Sequence, residues 1–267
     1  MDRFLDSPYA CPEIHAAVSA VIRARSTNPR DVRDVALDGL DLSACERVLD
    51  LGCGFGFMGE AVAQRVAPGA LVVGVDGCPA NEAAFRVRVE ATGRRAAFRR
   101  LAVAGSLPWP DAFFPLVVSS YALYFFPSIL PEIARVLAPG GRFVALTHRA
   151  DVLQDLFARL GETEAAVRLA ALMARFSAES GAGCLAGWFS DVEVVPYPNT
   201  LRFGRPHAAQ ALAYLDFKVG VLVAGEPGPV RRARIGRALD TCLDRLGEVV
   251  VAKDDVAFRA RRPPCPP

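Results

Sequence analysis

Several features that would place a chain in a specialised class are scarce or missing from these 267 residues. No run approaches the roughly 18 uninterrupted apolar residues that a membrane helix needs. The first residues lack the basic start and apolar core of a secretory signal. The 31 Lys and Arg residues nearly balance the 29 Asp and Glu residues, which gives a net charge of +2. We therefore expect neither a membrane protein nor the broad basic surface of a nucleic-acid-binding protein.

The cysteine and histidine residues are too few and too widely spaced to resemble the ligand motifs of a metal-binding protein. The seven cysteines are scattered without a C-x-x-C pair, and there are only three histidines. No metal site is predicted from this pattern. An odd number of scattered thiols is typical of a reduced compartment, so we expect a cytoplasmic protein. Hydrophobic residues make up 52% of the chain, which favours a large folded core over disorder.

What the chain does contain is an alternation of short apolar runs and helical stretches in its first half. The runs are apolar throughout, as expected for strands that are covered on both faces. Such alternation is typical of βαβ units and a parallel sheet. The predicted strands are residues 47–51, 71–75, 97–103, 116–119 and 142–146, and the helices between them are 58–66, 79–92 and 128–137.

The flanks differ from this alternating region, and the chain divides into five predicted parts. They are an N-terminal helical cap (1–44), an α/β core (45–150), a helical insertion or lid (151–188), a C-terminal part that completes the sheet (189–262) and a tail (263–267). The cap contains a predicted helix that begins at a proline, over residues 12–24. The C-terminal part has strand-like segments at 191–203 and 248–259, with helices near 207–222 and 229–245 between them.

The stretch VLDLGCGFGFMG, residues 48–59, is the most informative. A strand leads into glycines and a helix leads out, so the backbone can approach a ligand closely. Gly54, Gly56 and Gly59 match G-x-G-x-x-G, the dinucleotide pattern. Asp50 argues against a dinucleotide, because a carboxylate beside the glycines would repel a pyrophosphate. It favours a ligand with an ammonium and a sulfonium group, although a glycine-rich turn without a ligand is the alternative.

A second carboxylate, Asp76, ends the next predicted strand in the sequence VVGVD. An acid roughly 20 residues beyond such a glycine loop can accept hydrogen bonds from ribose hydroxyls. The alternative is an aspartate that caps the following helix or turn. We favour the ribose role because the glycine loop precedes it.

Four motifs in order resemble the class I S-adenosylmethionine-dependent methyltransferases, and above all their small-molecule branch with the ubiquinone-type methyltransferases. The motifs are VLDLGCGFG (48–56), VVGVDG (72–77), LPWPDAFFPLVVSSYALYFF (107–126) and LAPGGRF (137–143). The resemblance implies a Rossmann-like α/β fold with seven strands, mostly parallel with an antiparallel last strand, and helices on both faces. It also implies S-adenosylmethionine as cofactor and S-adenosylhomocysteine as product.

The resemblance further implies a set of cofactor-binding residues in this chain. They are Asp50, Gly52, Cys53, Gly54, Gly56, Asp76, Gly77, Ser106, Leu107 and Ser119. The chain departs from the family at two places. Family members usually hold the adenine amino group with an Asp before the third motif, whereas residues 101–106 read LAVAGS, so Ser106 or backbone atoms are expected to serve. The usual Phe-Asp before the fourth strand is Phe114-Pro115.

Methyl transfer from a sulfonium is an in-line displacement, for which the protein must align the reactants and exclude water. A general base helps if the nucleophile is a hydroxyl or an ammonium group. His148, at the end of a predicted strand, is the leading candidate because an imidazole with a pKa of about 6.5 accepts protons near neutrality. Tyr121 and Tyr124 are candidates for shaping the methyl pocket. The alternatives are a surface histidine and ordinary packing aromatics.

Together these features predict a methyltransferase that acts on an oxygen or nitrogen atom of a small molecule. Neither nucleic acid nor membrane is an expected partner, and a monomer and a homodimer are both open. Two other functions stay open at this point. One is a protein that binds the cofactor or its product without turnover, and the other is an NAD-dependent oxidoreductase.

Overall fold

The computed structural model describes residues 8–103 and 105–263. The first seven residues of the predicted cap, Ala104 and all of the predicted tail except Pro263 lie outside the described residues.

The fold is built on a central sheet of seven strands. The strands of the described residues are β1 (Arg47–Leu51), β2 (Leu71–Asp76), β3 (Arg95–Arg100), β4 (Phe114–Ser120), β5 (Leu137–His148), β6 (Ser190–Tyr197), β7 (Thr200–Gly204), β8 (Glu248–Ala252) and β9 (Asp255–Arg261). The order in the sheet is β3-β2-β1-β4-β5-β9-β6. Only β9 is antiparallel to its neighbours, β5 and β6, which confirms the predicted Rossmann-like sheet.

Helices cover both faces of this sheet. Those of the described residues are α1 (Pro12–Arg25), α2 (Val32–Leu37), α3 (Phe57–Ala63), α4 (Asn81–Glu90), α5 (Leu130–Val136), α6 (Gln154–Leu160), α7 (Thr163–Met173), α8 (Gly181–Ala186), α9 (Ala208–Leu222) and α10 (Gly228–Leu246). The central strands bury both faces: Val48 and Leu49, adjacent on β1, are fully buried in two different apolar clusters. Burial of apolar surface on both sides of the strands stabilises the sheet.

The C-terminal part was predicted to complete the sheet, but only some of its strands join it. The strand-like segment 191–203 is divided into β6, which joins the sheet edge, and β7, which pairs with β8 in a separate antiparallel pair. The break falls at Pro198 and Asn199. The Asn199 side chain accepts hydrogen bonds from the backbone N–H groups of Thr27 and Asn28, which ties the break to the chain that follows α1.

The N-terminal helix packs on the C-terminal part of the molecule. Helix α1 contacts α9 and β7, and Ser26 forms a β-bridge with Leu201. Helices α1 and α9 thereby cover the carboxyl ends of the parallel strands. This edge of an open α/β sheet is where ligands bind.

Candidate active site

One cavity of about 870 Å³ lies at the carboxyl ends of β1, β2, β4 and β5. Its walls come from α1, the glycine loop after β1, the loops after β2 and β4, the end of β5, helix α9 and the turn before β9. Cavities that hold small molecules and cofactors have volumes of about 300–1,000 Å³. The residues around it come from three of the predicted parts: the N-terminal cap, the α/β core and the C-terminal part.

The glycine loop adopts the backbone geometry that its sequence predicts. Gly52, Gly54 and Gly56 have φ angles of +70°, +49° and +92°, a region that other residues rarely adopt. A Cβ atom on Gly52 would lie 2.4 Å from the Cβ of Ala122, so the loop also requires a small residue there. Gly52, Cys53 and Gly54 line the cavity, whereas Gly56 is the residue before α3 and does not.

Asp76 lies beside this loop and lines the cavity, as does Gly77. Its Oδ2 accepts a hydrogen bond of 2.9 Å from the Gly54 N–H, and its Oδ1 accepts one of 2.8 Å from the Cys78 N–H. Each carboxylate oxygen retains a second lone pair that can accept from a ligand hydroxyl. Burial raises the pKa of Asp76, and the two backbone N–H groups oppose that rise.

Asp50 lies beneath the glycine loop and is fully buried. It is not among the residues that line the cavity. Burial, and secondly the negative charge of Asp76, raise the pKa of Asp50 to about 7. Any influence of its charge on a ligand would therefore act through the loop and not by direct contact.

The other predicted cofactor residues lie away from the cavity. Ser106 is exposed, and the buried Leu107 donates its backbone N–H to Glu132 at 2.8 Å. The hydroxyl of Ser119 is buried and donates to the Leu51 carbonyl at 3.0 Å. Ser120, the next residue on β4, lines the cavity instead, because side chains alternate along a strand. On the side where an adenine acid is missing, the cavity wall is residues 101–103, LAV.

The three predicted catalytic residues do come together. His148, Tyr121 and Tyr124 all line the cavity. The His148 ring stacks on Tyr121 with centroids 4.6 Å apart, and it lies 6.2 Å from the Tyr124 ring at a similar tilt. The ends of β4 and β5 thus place a histidine between aromatic rings.

Two further residues complete this group, and sequence reasoning missed both. Asp255 Oδ1 lies 2.6 Å from His148 Nδ1, and Asp255 Oδ2 accepts a 2.7 Å hydrogen bond from the Tyr121 hydroxyl. Lys253 forms a buried ion pair with Asp255. We call His148, Tyr121, Lys253 and Asp255 the acid–base cluster. His148 and Asp255 face each other because they are partners in the antiparallel pairing of β5 with β9.

The charges of this cluster leave His148 neutral and able to act as a base. Burial opposes ionisation of Asp255, but the positive charge of Lys253 and the hydrogen bond from the His148 ring lower its pKa to about 2. Burial, and secondly Lys253, lower the pKa of His148 to about 4, against the pull of Asp255. An ionised Asp255 accepts the Nδ1–H, which leaves the lone pair on Nε2. Nε2 has no hydrogen-bond partner among the residues that the structure describes, and His148 faces the cavity.

The N-terminal helix closes the cavity over the glycine loop. The His15 ring lies within van der Waals distance of where a Gly54 side chain would be, and it stacks on Phe217 of α9 at 5.2 Å. Burial, and secondly the charge of Lys218, lower the pKa of His15 to about 3, so the ring is neutral. The predicted cap thus contributes a wall of the site.

Within residues 8–103 and 105–263, no group of three or more His, Cys, Asp or Glu side chains is arranged to hold a metal ion. In the same part of the chain, every helix is too short or too polar to cross a bilayer.

Comparison with known proteins identifies the α/β core. The family described as "Methyltransferase domain" matches residues 48–141, the stretch from β1 into β5 that contains the glycine loop and Asp76. Residues 48–141 thus match a methyltransferase domain, in agreement with the family that the four sequence motifs resemble. The relatives that match this domain include methyltransferases of demethylmenaquinone and of trans-aconitate.

The curated relatives match this domain and part of its flanks. The chain is 40% identical over 116 residues to a demethylmenaquinone methyltransferase of Thermus thermophilus, a match that covers 42% of this chain and 50% of the relative. It is 36% identical over 141 residues to a trans-aconitate 2-methyltransferase of Methylobacterium nodulans, covering 50% and 51%. The chain therefore spans about half the length of these relatives.

Solved structures extend the likeness to the whole fold. The YcgJ protein of Bacillus subtilis superposes with a TM-score of 0.55 at 18% identity, over 93% of this chain and 99% of that one. The cyclase SpnF superposes with a TM-score of 0.55 at 17% identity, over 97% of each chain. Proteins of this methyltransferase fold thus include one described as a cyclase, so the activity has to be argued from the site.

Proposed function

We propose that this protein transfers a methyl group from S-adenosylmethionine to an oxygen or nitrogen atom of a small molecule. The observation that carries the proposal is the neutral His148, oriented by Asp255, in the same cavity as the glycine loop and Asp76. A binding protein without turnover would not need an oriented base. We place this reaction in the cytoplasm, since the composition is that of a protein from a reduced compartment.

The residues around the cavity fit the cofactor. Asp76 offers lone pairs to ribose hydroxyls, and the backbone of Gly52 and Gly54 allows close approach of the amino-acid part. The apolar wall of residues 101–103 can pack on the adenine ring, which replaces the acid that other family members use there. When bound, S-adenosylmethionine supplies a methyl group that its sulfonium has already activated.

The protein's own part in the reaction is to orient the acceptor and to take up its proton. His148 Nε2 accepts the proton of a hydroxyl or ammonium group as that group becomes the nucleophile. Asp255 holds the imidazole through Nδ1 and stabilises the positive charge that the ring gains. The aromatic rings of Tyr121, Tyr124 and Phe217 exclude water from the site. The acceptor is proposed to be a small molecule, as it is for the curated relatives.

The proposal is tested with methyl-labelled S-adenosylmethionine and a panel of small hydroxy and amino compounds, with detection of labelled product and S-adenosylhomocysteine. With an accepted compound, His148→Gln should lower kcat by about 10²- to 10⁴-fold, the usual contribution of a general base. Its affinity for S-adenosylhomocysteine should stay within about twofold of wild type, since the fold and cofactor loop are unchanged.

The matched control is His207→Gln, which removes a histidine that does not line the cavity and should leave kcat unchanged. Tight binding of S-adenosylhomocysteine without methylation of any oxygen or nitrogen acceptor would contradict the proposal.

A further inference from the structure

Lysine is almost absent from this chain, and both lysines lie in the active-site cavity. Among the 31 Lys and Arg residues, only Lys218 and Lys253 are lysines. They come from α9 and from the turn between β8 and β9, and both line the same cavity. A lysine ammonium is a compact charge on a flexible stem, whereas the arginine guanidinium is a larger rigid fork. Three arginines, Arg23, Arg30 and Arg100, line the same cavity, so the two lysines are not its only cations.

Lys253 has its counterion within the protein. It is buried, with 5% of its side chain exposed, and pairs with the Asp255 carboxylate. Its Nζ also lies over the Tyr121 ring, 4.9 Å from the centroid. Its charge is therefore satisfied by the acid–base cluster.

Lys218 has no such counterion. It forms neither an ion pair nor a hydrogen bond with any residue that the structure describes, and its Nζ lies 5.8 Å from the centroid of the Tyr214 ring. Burial, and secondly the charge of Lys253, lower the pKa of Lys218 to about 8, against the opposing influence of the Asp255 carboxylate. The Lys218 side chain is half-buried, and a partly desolvated cation without a counterion favours an anion beside it.

The acidic residues around the cavity are already engaged elsewhere. Asp31 pairs with Arg33, and Asp255 pairs with Lys253. Asp76 is held by backbone N–H groups beside the glycine loop, where a ligand ribose is proposed to bind. Among the described residues, no acidic residue that lines the cavity is therefore left to pair with Lys218.

The cavity that Lys218 lines also has aromatic walls. Phe217 is its neighbour on α9, and Phe125 and Phe126 line the cavity from the loop after β4. A ligand that pairs with Lys218 would thus contact both a cation and apolar rings. This combination selects an apolar body that carries an acidic group.

We propose that Lys218 binds a carboxylate of the methyl acceptor, so that the acceptor is a carboxylic acid with an apolar, ring-sized body. The nucleophilic hydroxyl or amine of this acid is then turned toward His148. The inference rests on the proposed function for the statement that the ligand is the methyl acceptor. The binding of an acid by Lys218 is a separate property that can be measured without turnover.

The test compares matched acids and amides of increasing size: benzoate with benzamide, cinnamate with cinnamamide, and 2-naphthoate with 2-naphthamide. Each pair has nearly the same shape and differs in charge. Dissociation constants are measured by ligand-observed NMR with and without saturating S-adenosylhomocysteine. In the wild type, at least one acid should bind about tenfold or more tightly than its amide, because a charge-assisted contact is stronger than a neutral one.

Two variants and a control assign that preference to Lys218. Lys218→Met should abolish the preference for the acid, and Lys218→Arg, which keeps the charge, should retain part of it. Arg237→Met removes a positive charge from the exposed face of α10 and should change nothing. Unchanged affinity of Lys218→Met for S-adenosylhomocysteine would show that its fold is intact.

Two results would overturn the inference: no acid in the wild type binds more tightly than its amide, or the preference persists in Lys218→Met. If S-adenosylhomocysteine still binds normally, either result would contradict only the lysine site and not the proposed methyl transfer. A protein that prefers acids but does not bind S-adenosylhomocysteine would fail the proposed function and keep the lysine site.

Discussion

At the scale of single residues, the carboxylates in and beneath the cavity differ in how readily they ionise. Asp255 is ionised beside Lys253, whereas burial raises the pKa of Asp50 to about 7. Asp50 lies under the glycine loop, and Asp76 beside it. The two pKa values differ because of the surroundings. Asp255 contacts the Lys253 cation, whereas Asp50 is buried and lies near a second carboxylate, Asp76.

Asp50→Asn tests the state of this buried acid. The folded protein holds the Asp50 proton more tightly than the unfolded chain, so its contribution to stability is full below about pH 4 and lost as the pH rises through about 7. A shift of about three pKa units corresponds to about 4 kcal/mol. The free energy of unfolding of Asp50→Asn relative to wild type should therefore rise by several kcal/mol between pH 4 and pH 8.

Urea unfolding at each pH gives that difference. Asp155→Asn, which replaces an exposed carboxylate on α6 by the same chemical change, is the control measured in parallel. A flat difference for Asp50→Asn would show that Asp50 ionises as freely in the folded protein as in the unfolded chain.

Residues within one motif could be predicted from the sequence, and residues that meet across the sheet could not. The glycine loop, Asp76 and the three catalytic candidates lie at strand ends, where a βαβ pattern already places a site. Asp255 lies beside His148 only because β9 enters antiparallel next to β5 in one register. No local pattern encodes that register. The scarcity of lysine is a sequence signal that singles out Lys253 and Lys218, and the sequence analysis did not use it.

At the scale of elements, the insertion is attached to the sheet through tight packing of α8. A Cβ atom on Gly181 would lie 2.3 Å from Cε2 of Phe258, a fully buried residue of β9. Gly181→Ala should therefore destabilise the protein by about 1–3 kcal/mol, the usual cost of overpacking a core. The midpoint of urea unfolding measures it.

Gly183, two residues further along the same helix, has open space where its Cβ would be. Gly183→Ala should leave stability unchanged or raise it by up to about 1 kcal/mol, because alanine favours helix. Equal effects of the two alanines would show that α8 does not pack on Phe258 in this way.

The bounds of the strands were predicted best for the buried central strands. The first strand is found at the predicted residues, and β2 and β4 differ from their predicted bounds by one or two residues at an end. The fifth strand begins at Leu137 instead of 142, since Leu137 pairs with Phe114 across a register shift that hydrophobicity does not reveal. The β7–β8 pair was missed because Pro198 and Asn199 interrupt what reads as one strand-like segment.

At the scale of the whole molecule, the N-terminal and C-terminal parts close one cavity over the α/β core. Val18, Ser19 and Ile22 of α1 line this cavity together with the glycine loop. Helix α1 is held there by α9, by β7 and by the Asn199 side chain. A ligand in the cavity would therefore contact α1 and stabilise its packing over the glycine loop.

S-adenosylhomocysteine at about 100 times its dissociation constant should stabilise the bound protein by about 2.7 kcal/mol. Amide hydrogen exchange should slow in residues 12–25 and in the glycine loop. Helix α10, which contributes no residue to the cavity, should show a smaller change. Protection of α10 without protection of α1 would contradict this closure.

The most direct test of the cofactor site is isothermal titration with S-adenosylmethionine, S-adenosylhomocysteine and NAD, on the wild type and on Asp76→Ala. The wild type should bind both sulfur nucleosides and not NAD. Asp76→Ala should bind them at least about tenfold more weakly, because hydrogen bonds to a charged group are each worth about 1.5–3 kcal/mol. Binding of NAD alone, or unchanged affinity of Asp76→Ala for the sulfur nucleosides, would contradict the account.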